Sequence, residues 1–327
     1  MKTKHWWLIG SLLAGILILG GGYYVWLAPA GASRQSKQFV VQSGEGIGAI
    51  AEHLHKEGLI KSPWGFKVYL KLTGQVIVQP GTYELSSHQN LPIIANLIAS
   101  GATSNVTLTI PEGWTLQQIA EEIAQKNIAT AEEFLKIAND FPPDYDFLKA
   151  RPAGKSLEGF LFPDTYKLIK GDPLLAIRQM LDNFSNKYHS DIQPDLGDQD
   201  LYKILIVASL VEREAQKAED RPMIAGVIYN RLKIGMKLDI DATVRFIINN
   251  WKDPLTQANL TVNSPYNTRK YAGLPPGPIC NPGLAAVEAA LHPAEHKYYY
   301  YLTDPEGVTH YAKTLAEHNQ NKLEYLL

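Results

Sequence analysis

Leu201-Tyr202-Lys203-Ile204-Leu205-Ile206-Val207-Ala208-Ser209-Leu210-Val211-Glu212-Arg213-Glu214-Ala215 is the most informative stretch of the chain. Leu201, Ile204, Leu205, Ala208, Val211 and Ala215 recur at steps of three and four, which gives one buried face of a long helix. Pro222 is expected to break that helix, and residues 223–232 to continue as a second helical piece. Residues 204–211 are almost wholly apolar, so a carboxylate at their end is expected to be partly desolvated. Desolvation disfavours the charged form and raises a carboxyl pKa, which suits a general acid working near neutral pH. The plainer reading is two solvated glutamates flanking Arg213 on a helix surface. Successive residues turn by about 100°, so Glu212 and Glu214 diverge by about 200° and cannot flank one bond together. Either a distant carboxylate completes the pair, with Asp241 the best placed, or one glutamate performs both proton transfers.

Downstream of this helix the chain is rich in turns: Ser264-Pro265-Tyr266-Asn267, Gly273-Leu274-Pro275-Pro276-Gly277-Pro278 and Asn281-Pro282-Gly283. Ordered loops of this length beside a buried helix commonly line a cleft. A helix over 284–291 is expected to end at His292-Pro293, and residues 298–302 and 309–312 to close as a hairpin around Asp304-Pro305-Glu306-Gly307.

Upstream, one unit occurs twice. Val41-Gln42-Ser43-Gly44-Glu45-Gly46-Ile47 and Ile110-Pro111-Glu112-Gly113-Trp114-Thr115-Leu116 each lead into an amphipathic helix, and an offset of 69 keeps Gly44/Gly113, Ile50/Ile119 and Glu52/Glu121 in register. Each copy later meets a short strand, residues 81–85 or 164–168, and then a further helix, residues 91–100 or 173–188. The first copy resembles a LysM-type βααβ glycan-binding module. The predicted fold class is therefore α+β: an N-terminal transmembrane helix, the LysM-like module, then a mixed α/β catalytic domain with a long apolar helix and turn-rich cleft loops. In residue numbers this gives a cytoplasmic 1–5, an anchor over 6–28, a linker over 29–37, the module over 38–104, a second repeat-like region over 105–195 and a catalytic domain over 196–327.

The anchor rests on the apolar stretch 6–27, which carries no charge and has Trp6, Trp7, Tyr23, Tyr24 and Trp26 near its ends. One bilayer crossing needs about 20 such residues, and amphipathic rings favour its interfaces. Lys2 and Lys4 precede it, so the N-terminus is expected in the cytoplasm and the remainder outside the inner membrane. Ala28-Pro29-Ala30 resembles a cleavage site, but the span exceeds the ~7–15 residues of a signal core.

The 327 residues carry a formal net charge of −2, so no basic field points to nucleic acid. The one cysteine, Cys280, excludes an intramolecular disulfide, and His292 and His318 are too scattered for a zinc pattern. No cofactor or metal is expected.

The blocks Leu157-Glu158-Gly159-Phe160-Leu161-Phe162-Pro163-Asp164-Thr165-Tyr166, 208–214, Asn230-Arg231-Leu232, Ile234-Gly235-Met236, Ser264-Pro265-Tyr266-Asn267-Thr268, 273–279, Asn281-Pro282-Gly283, His292-Pro293-Ala294 and His318-Asn319 follow one another. In that order they resemble the YceG-like, or MltG-type, endolytic murein transglycosylase family over essentially the whole exported length. One departure is Asp241-Ala242-Thr243, where members usually read Asp-Pro-Thr; it loses a fixed φ and no functional group.

The resemblance implies an endolytic lytic transglycosylase that cuts N-acetylmuramic acid–β-1,4–N-acetylglucosamine bonds in peptidoglycan strands. It leaves 1,6-anhydro ends, and so terminates or trims nascent strands, with peptidoglycan synthases as candidate partners. One glutamate then serves as acid and as base. The step Glu214-Ala215 resembles the Glu-Ser or Glu-Thr step of related enzymes and favours Glu214, with Glu212 as its close partner; the helical wheel alone puts Glu212 nearer the apolar face. For substrate binding the blocks offer Asn230, Arg231, Asp241, Thr243, Tyr266, Asn267, Thr268, Pro276, Gly277, Asn281 and His292. Asn267 can equally cap a turn, Arg231 can equally pair with a glutamate, and loop 274–278 can be purely structural. Two other functions stay open: a non-catalytic peptidoglycan-binding scaffold on the membrane, and a hydrolytic muramidase using Asp241 as second carboxylate.

Protease added to intact spheroplasts is expected to digest everything after about Arg34; full protection, or a mature N-terminus near Gly31 or Arg34, contradicts a retained anchor.

Overall fold

The computed structural model describes residues 26–42, 44–75, 78–101 and 105–326. The chain divides into two compact units, one of Met1–Val106 with Lys167–Asp172 and one of Thr107–Tyr166 with Pro173–Leu327. Most of the expected anchor, residues 6–25, lies outside the described residues. Among the described residues no helix is long and apolar enough to cross a membrane.

In the first unit, β1 (Lys37–Val41) and β2 (Gly81–Leu85) pair antiparallel, with Phe39 opposite Tyr83 and Val41 opposite Gly81. Alternation puts Phe39, Val41, Tyr83 and Leu85 on the buried face. Between the strands run α1 (Ile47–Lys56) and α2 (Pro63–Leu72), and α3 (Leu91–Ser100) follows β2. Ser62 caps α2 by accepting from Gly65 N at 3.1 Å, and Pro63 takes the first turn, where its missing N–H has no intrahelical partner to lose. Part of the expected linker, residues 29–37, is hydrogen-bonded to this unit. Gly31 N donates to Ser87 O at 2.8 Å and His88 N to Ser33 O at 3.2 Å.

The second copy of the repeat follows the same order: β3 (Asn105–Thr109), α4 (Leu116–Gln125), α5 (Ala131–Asp140) and, after a long excursion, β4 (Thr165–Ile169), which pairs with β3. Thr115 with Gln118 and Thr130 with Glu133 form capping boxes that start α4 and α5. The excursion, absent from the first copy, feeds Phe147 and Phe160 into an aromatic core with Phe184 of α6 (Pro173–Lys187), at 4.7 and 5.6 Å between ring centroids.

At the centre of the second unit is α7 (Leu201–Glu214), opened by Asp200, whose carboxylate accepts from Tyr202 N at 3.0 Å. Leu205, Val207, Ala208, Leu210 and Val211 are fully buried. Burying each larger aliphatic side chain stabilises by about 1.5–3 kcal/mol, so the apolar run makes this helix the spine of the unit. The helix stops earlier than the proline predicts. Ala215 is already extended, and α8 (Asp220–Lys233) starts anew with Pro222 inside its first turn. A proline there forfeits no intrahelical bond, so Pro222 belongs to a beginning and not to a break. Glu214 is consequently the last residue of α7.

Among the helices with no forecast in the sequence pattern are α9 (Asp241–Ile248) and, near the end of the chain, α11 (Leu315–Tyr325). Between them α10 (Leu284–Leu291) packs on α7, and β5 (Tyr300–Thr303) with β6 (Thr309–Ala312) forms the expected hairpin, Tyr301 opposite Tyr311. Among the described residues this is a mixed α/β fold of many helices and three small two-stranded sheets.

Gly159 sits where the excursion meets loop 273–281. Its φ is +89°, and a Cβ there would lie 2.5 Å from Pro278 Cγ. Gly159→Ala is expected to cost about 2–4 kcal/mol, from left-handed strain and overpacking together, and to lower Tm by several degrees. An unchanged Tm would show that the two loops are not locked against each other.

Candidate active site

Glu212, Arg213 and Glu214 leave the last turn of α7 in three directions, and each meets a different part of the second unit. Glu212 turns toward α10, where one carboxylate oxygen accepts from Gly283 N, the first residue before that helix, at 3.0 Å. Its other oxygen lies 3.7 Å from Arg221 of α8, which also approaches Glu112 at 3.9 Å. The loops here are in close contact: a Cβ on Gly283 would fall 1.8 Å from a Glu112 carboxylate oxygen. Arg213 donates to Gly113 O at 3.1 Å and lies over the Trp251 ring at 3.7 Å. Burial raises the pKa of Glu212, helped by the charge of Glu112 and opposed by Gly283 N and the two arginines.

Glu214 has a different environment. It is half-buried as a residue, yet its carboxyl lies deep among protein atoms and accepts one hydrogen bond, from the Tyr301 hydroxyl of β5 at 2.7 Å. Desolvation pushes its pKa up to about 7. The Tyr301 bond, Arg231 and Arg213 pull it down, while the charge of Asp241 at the start of α9 pushes it up. A carboxyl of this kind is close to half-protonated at neutral pH, so it can give a proton and then accept one. Asp241 itself is exposed and held by Arg269 at 2.6 Å.

A buried framework holds these loops to α7. The Asn281 side chain accepts from Gly159 N and Leu161 N, both at 2.9 Å, and donates to Trp114 O at 3.0 Å and to a Glu158 oxygen at 3.1 Å. Both Glu158 oxygens accept from Leu116 N, at 3.0 Å, at the start of α4. Burial pushes the Glu158 pKa up to about 8 against that bond. Ser209 in α7 accepts from Ile279 N at 3.0 Å, which docks the same loop on the central helix.

The residues expected to bind substrate therefore fall into two groups. Asn281, Asn267, Thr243 and Thr268 are fully or almost fully buried, and their polar atoms are taken up inside the protein. Asn267 donates to Leu260 O and Val262 O, while Thr243 and Thr268 bond each other at 3.1 Å and Ile240. Arg231 donates to Tyr299 O and Leu238 O, and Asn230 to His296 O and Tyr298 O, so both tie α8 to the segment leading into β5. These bonds place the six side chains in the framework around the site, with the Asn267, Asn281, Thr243 and Thr268 polar groups turned inward. Gly277 is buried beside the Tyr202 and Tyr266 hydroxyls, and Pro276 is half-buried next to it. His292 is exposed and meets Asp195 at 3.0 Å, a contact that includes neither glutamate. Asp241 and Tyr266 remain as polar groups with exposure at the loops.

Sequence reasoning missed Glu112, Arg221, Trp251 and Glu158, and had Tyr301 only as one of a run of aromatics. For Glu112 a signal existed, since the first copy of the repeat has Ser43 at the matching position. Glu158 stood in a recognised block but carried no visible partner. A cavity of ≈ 610 Å³ lined by Phe141, Leu148, Arg151 and Lys155 contains none of these acids.

A carboxyl whose pKa is raised by burial, at a helix end and hydrogen-bonded by a tyrosine, is suited to acid–base catalysis. The chain belongs to the YceG-like family, whose model matches residues 39–324. It is similar to the endolytic murein transglycosylase of Bacillus subtilis (strain 168), 34% identical over 95% of this chain and 91% of the relative. The endolytic murein transglycosylase of Streptococcus pneumoniae serotype 2 (strain D39 / NCTC 7466) is 31% identical over 97% of this chain and 65% of its own length. The crystal structure of a yceG-like protein from Listeria monocytogenes matches with a TM-score of 0.60 and 32% identity, covering 88% of this chain and 99% of that one.

The two groups beside Glu214 act on it with opposite sign. Followed by the carboxyl-carbon NMR shift, Glu214 is expected to titrate at about 7. Tyr301→Phe should move the midpoint up, because it removes a bond to the carboxylate; Asp241→Asn should move it down, because it removes a repelling charge. A midpoint in the ordinary range of about 4.3 would refute the environment described.

Proposed function

We propose that the protein is an endolytic murein transglycosylase in which Glu214 is the acid and the base. The observation that carries this reading is the Glu214 carboxyl itself, desolvated at the end of α7, held by Tyr301 and poised at about 7. The names of the relatives supply the substrate class. Protonated Glu214 gives its proton to the oxygen of the β-1,4 bond between N-acetylmuramic acid and N-acetylglucosamine, and the bond from that oxygen to the muramoyl C1 breaks. The carboxylate so formed takes the proton of the muramoyl C6 hydroxyl as its oxygen bonds to C1. The 1,6-anhydro ring closes, Glu214 is protonated again and no water is consumed.

The surrounding residues fit these steps. Tyr301 steadies the carboxylate produced by the first transfer. Desolvation, with the nearby Asp241 adding to it, favours the protonated form of Glu214 from which the first transfer starts. Glu212 is committed to Gly283 and Arg221, so its part is to hold α7 to α10 and to loop 112–114. A second reading has one observation in its favour: Asp241 lies near enough to Glu214 to shift it, which is what a hydrolytic muramidase with two carboxylates requires. The reducing end of the product decides between them.

For the rest of the chain we propose that the first βααβ unit is a LysM-like glycan-binding module. Residues 6–27 then keep the enzyme on the outer side of the cell membrane, where nascent strands are trimmed beside their synthases.

Glu214→Gln is expected to lower release of anhydro-ended fragments from sacculi by about 10²–10⁴-fold, with circular dichroism and sacculus binding unchanged. Glu212→Gln should be milder in rate and should lower Tm. Free reducing ends in place of anhydro ends would make the enzyme a hydrolase; full activity in both variants would move the catalytic centre elsewhere.

A further inference from the structure

The first unit carries a surface that neither the site nor the glycan reading uses. Along α2, Trp64, Lys67 and Lys71 recur at helical spacing and are exposed, while Gly65, Phe66 and Leu70 are buried, and the exposed Leu72 ends the helix. Trp64 is 54% exposed and Leu72 76% exposed, high values for large apolar side chains. Trp26 packs edge-on against Trp64, with ring centroids 4.8 Å apart, and its Cβ would lie 3.1 Å from a Cβ placed on Gly65. Residues 31–33 then run along 87–88 through backbone hydrogen bonds, so the chain is fastened to the unit from Trp26 onward. Across 26–36, 61–75 and 86–90 the sequence has Arg34, Lys61, Lys67 and Lys71 and no aspartate or glutamate. No ion pair engages Lys61, Lys67 or Lys71 among the described residues.

We propose that this face of α2, with Trp26, rests on the anionic phospholipid surface of the membrane. The inference rests on the anchor reading of 6–27. Given that anchor, Trp26 stands at the point where the chain leaves the bilayer, and its ring contact puts Trp64 at the same level. Indole rings at that level, lysines free of carboxylates and an exposed leucine are what a helix lying in the interface presents to lipid. Each lysine near an anionic surface gains electrostatic attraction that fades within a Debye length. A chain pinned to the unit without slack leaves this face little choice of height, so charge and apolar contact act on a surface already at hand.

The test uses the full chain reconstituted into vesicles, with a nitroxide on Leu72→Cys and a control on Glu52→Cys, an exposed position of α1. Cys280 is fully buried and stays unlabelled. In vesicles of phosphatidylcholine with phosphatidylglycerol, the label at 72 should become more accessible to oxygen and several-fold less accessible to a water-soluble nickel chelate, while that at 52 should not. Adding Lys67→Glu and Lys71→Glu should return the label at 72 to water while the protein stays in the vesicle fraction. Equal water exposure at 72 and 52 overturns the proposal, and identical burial in pure phosphatidylcholine overturns its anionic part. Loss of the whole protein from vesicles on an alkaline wash refutes the anchor and the proposal with it.

Discussion

The buried amide of Asn281 is the point on which the second unit depends. Its oxygen accepts from Gly159 N and Leu161 N, and its nitrogen donates to Trp114 O and Glu158, which uses the full capacity of an amide. Three loops far apart in sequence, 113–116, 158–161 and 279–283, are thereby held at one spot. Leaving any of these buried groups unpaired costs about 1–3 kcal/mol each, so the joint is stable only when complete. The same loops supply Gly113 O to Arg213 and Gly283 N to Glu212. The end of α7 is thus aimed by a hydrogen-bonded joint that touches neither acid directly through Asn281.

The second unit differentiates two glutamates that the sequence presents as near equals. Both are raised by desolvation and each meets one repelling carboxylate and two arginines, but Glu212 accepts from the backbone N–H at a helix N-terminus, whereas Glu214 accepts from the neutral hydroxyl of Tyr301. A carboxyl raised in the folded state favours folding below its unfolded value of about 4.3, and that contribution is lost as pH rises through the folded pKa. Glu214, near 7, and Glu158, near 8, therefore both weaken the unit as the solution turns from acid to mildly alkaline. For Glu214 this cost accompanies its suitability as an acid; for Glu158 it accompanies the joint with Asn281.

The two copies of the repeat share one βααβ plan and differ in what is added to it. α1 and α4 begin at matching positions, and in each copy the first strand pairs with the second. The second copy differs by Glu112 in its turn and by the inserted excursion that brings Glu158, Gly159 and Phe160 to α7. The first copy has no such insertion and keeps a free basic face on α2 instead.

By itself the sequence determined the periodic elements: α7 from its apolar spacing, the strand–turn–helix repeat, the helix at 284–291 and the closing hairpin. It also marked a glutamate at the end of α7 as desolvated, because the almost wholly apolar run 204–211 precedes it. Local pattern could not fix the stop at Glu214, since Pro222 is compatible with a helix start as well as a break. Nor could it tell which polar loop residues were free. Asn267, Asn281 and Thr268 look like ligands for sugar in a turn-rich sequence, but backbone groups up to 167 residues away satisfy them. Only the tertiary structure gives Glu212 and Glu214 different surroundings, because Gly283 and Tyr301 reach them from 71 and 87 residues away. A carboxyl pKa is set by everything within a few ångströms, and which segments come that close is a property of the fold and not of any window of sequence.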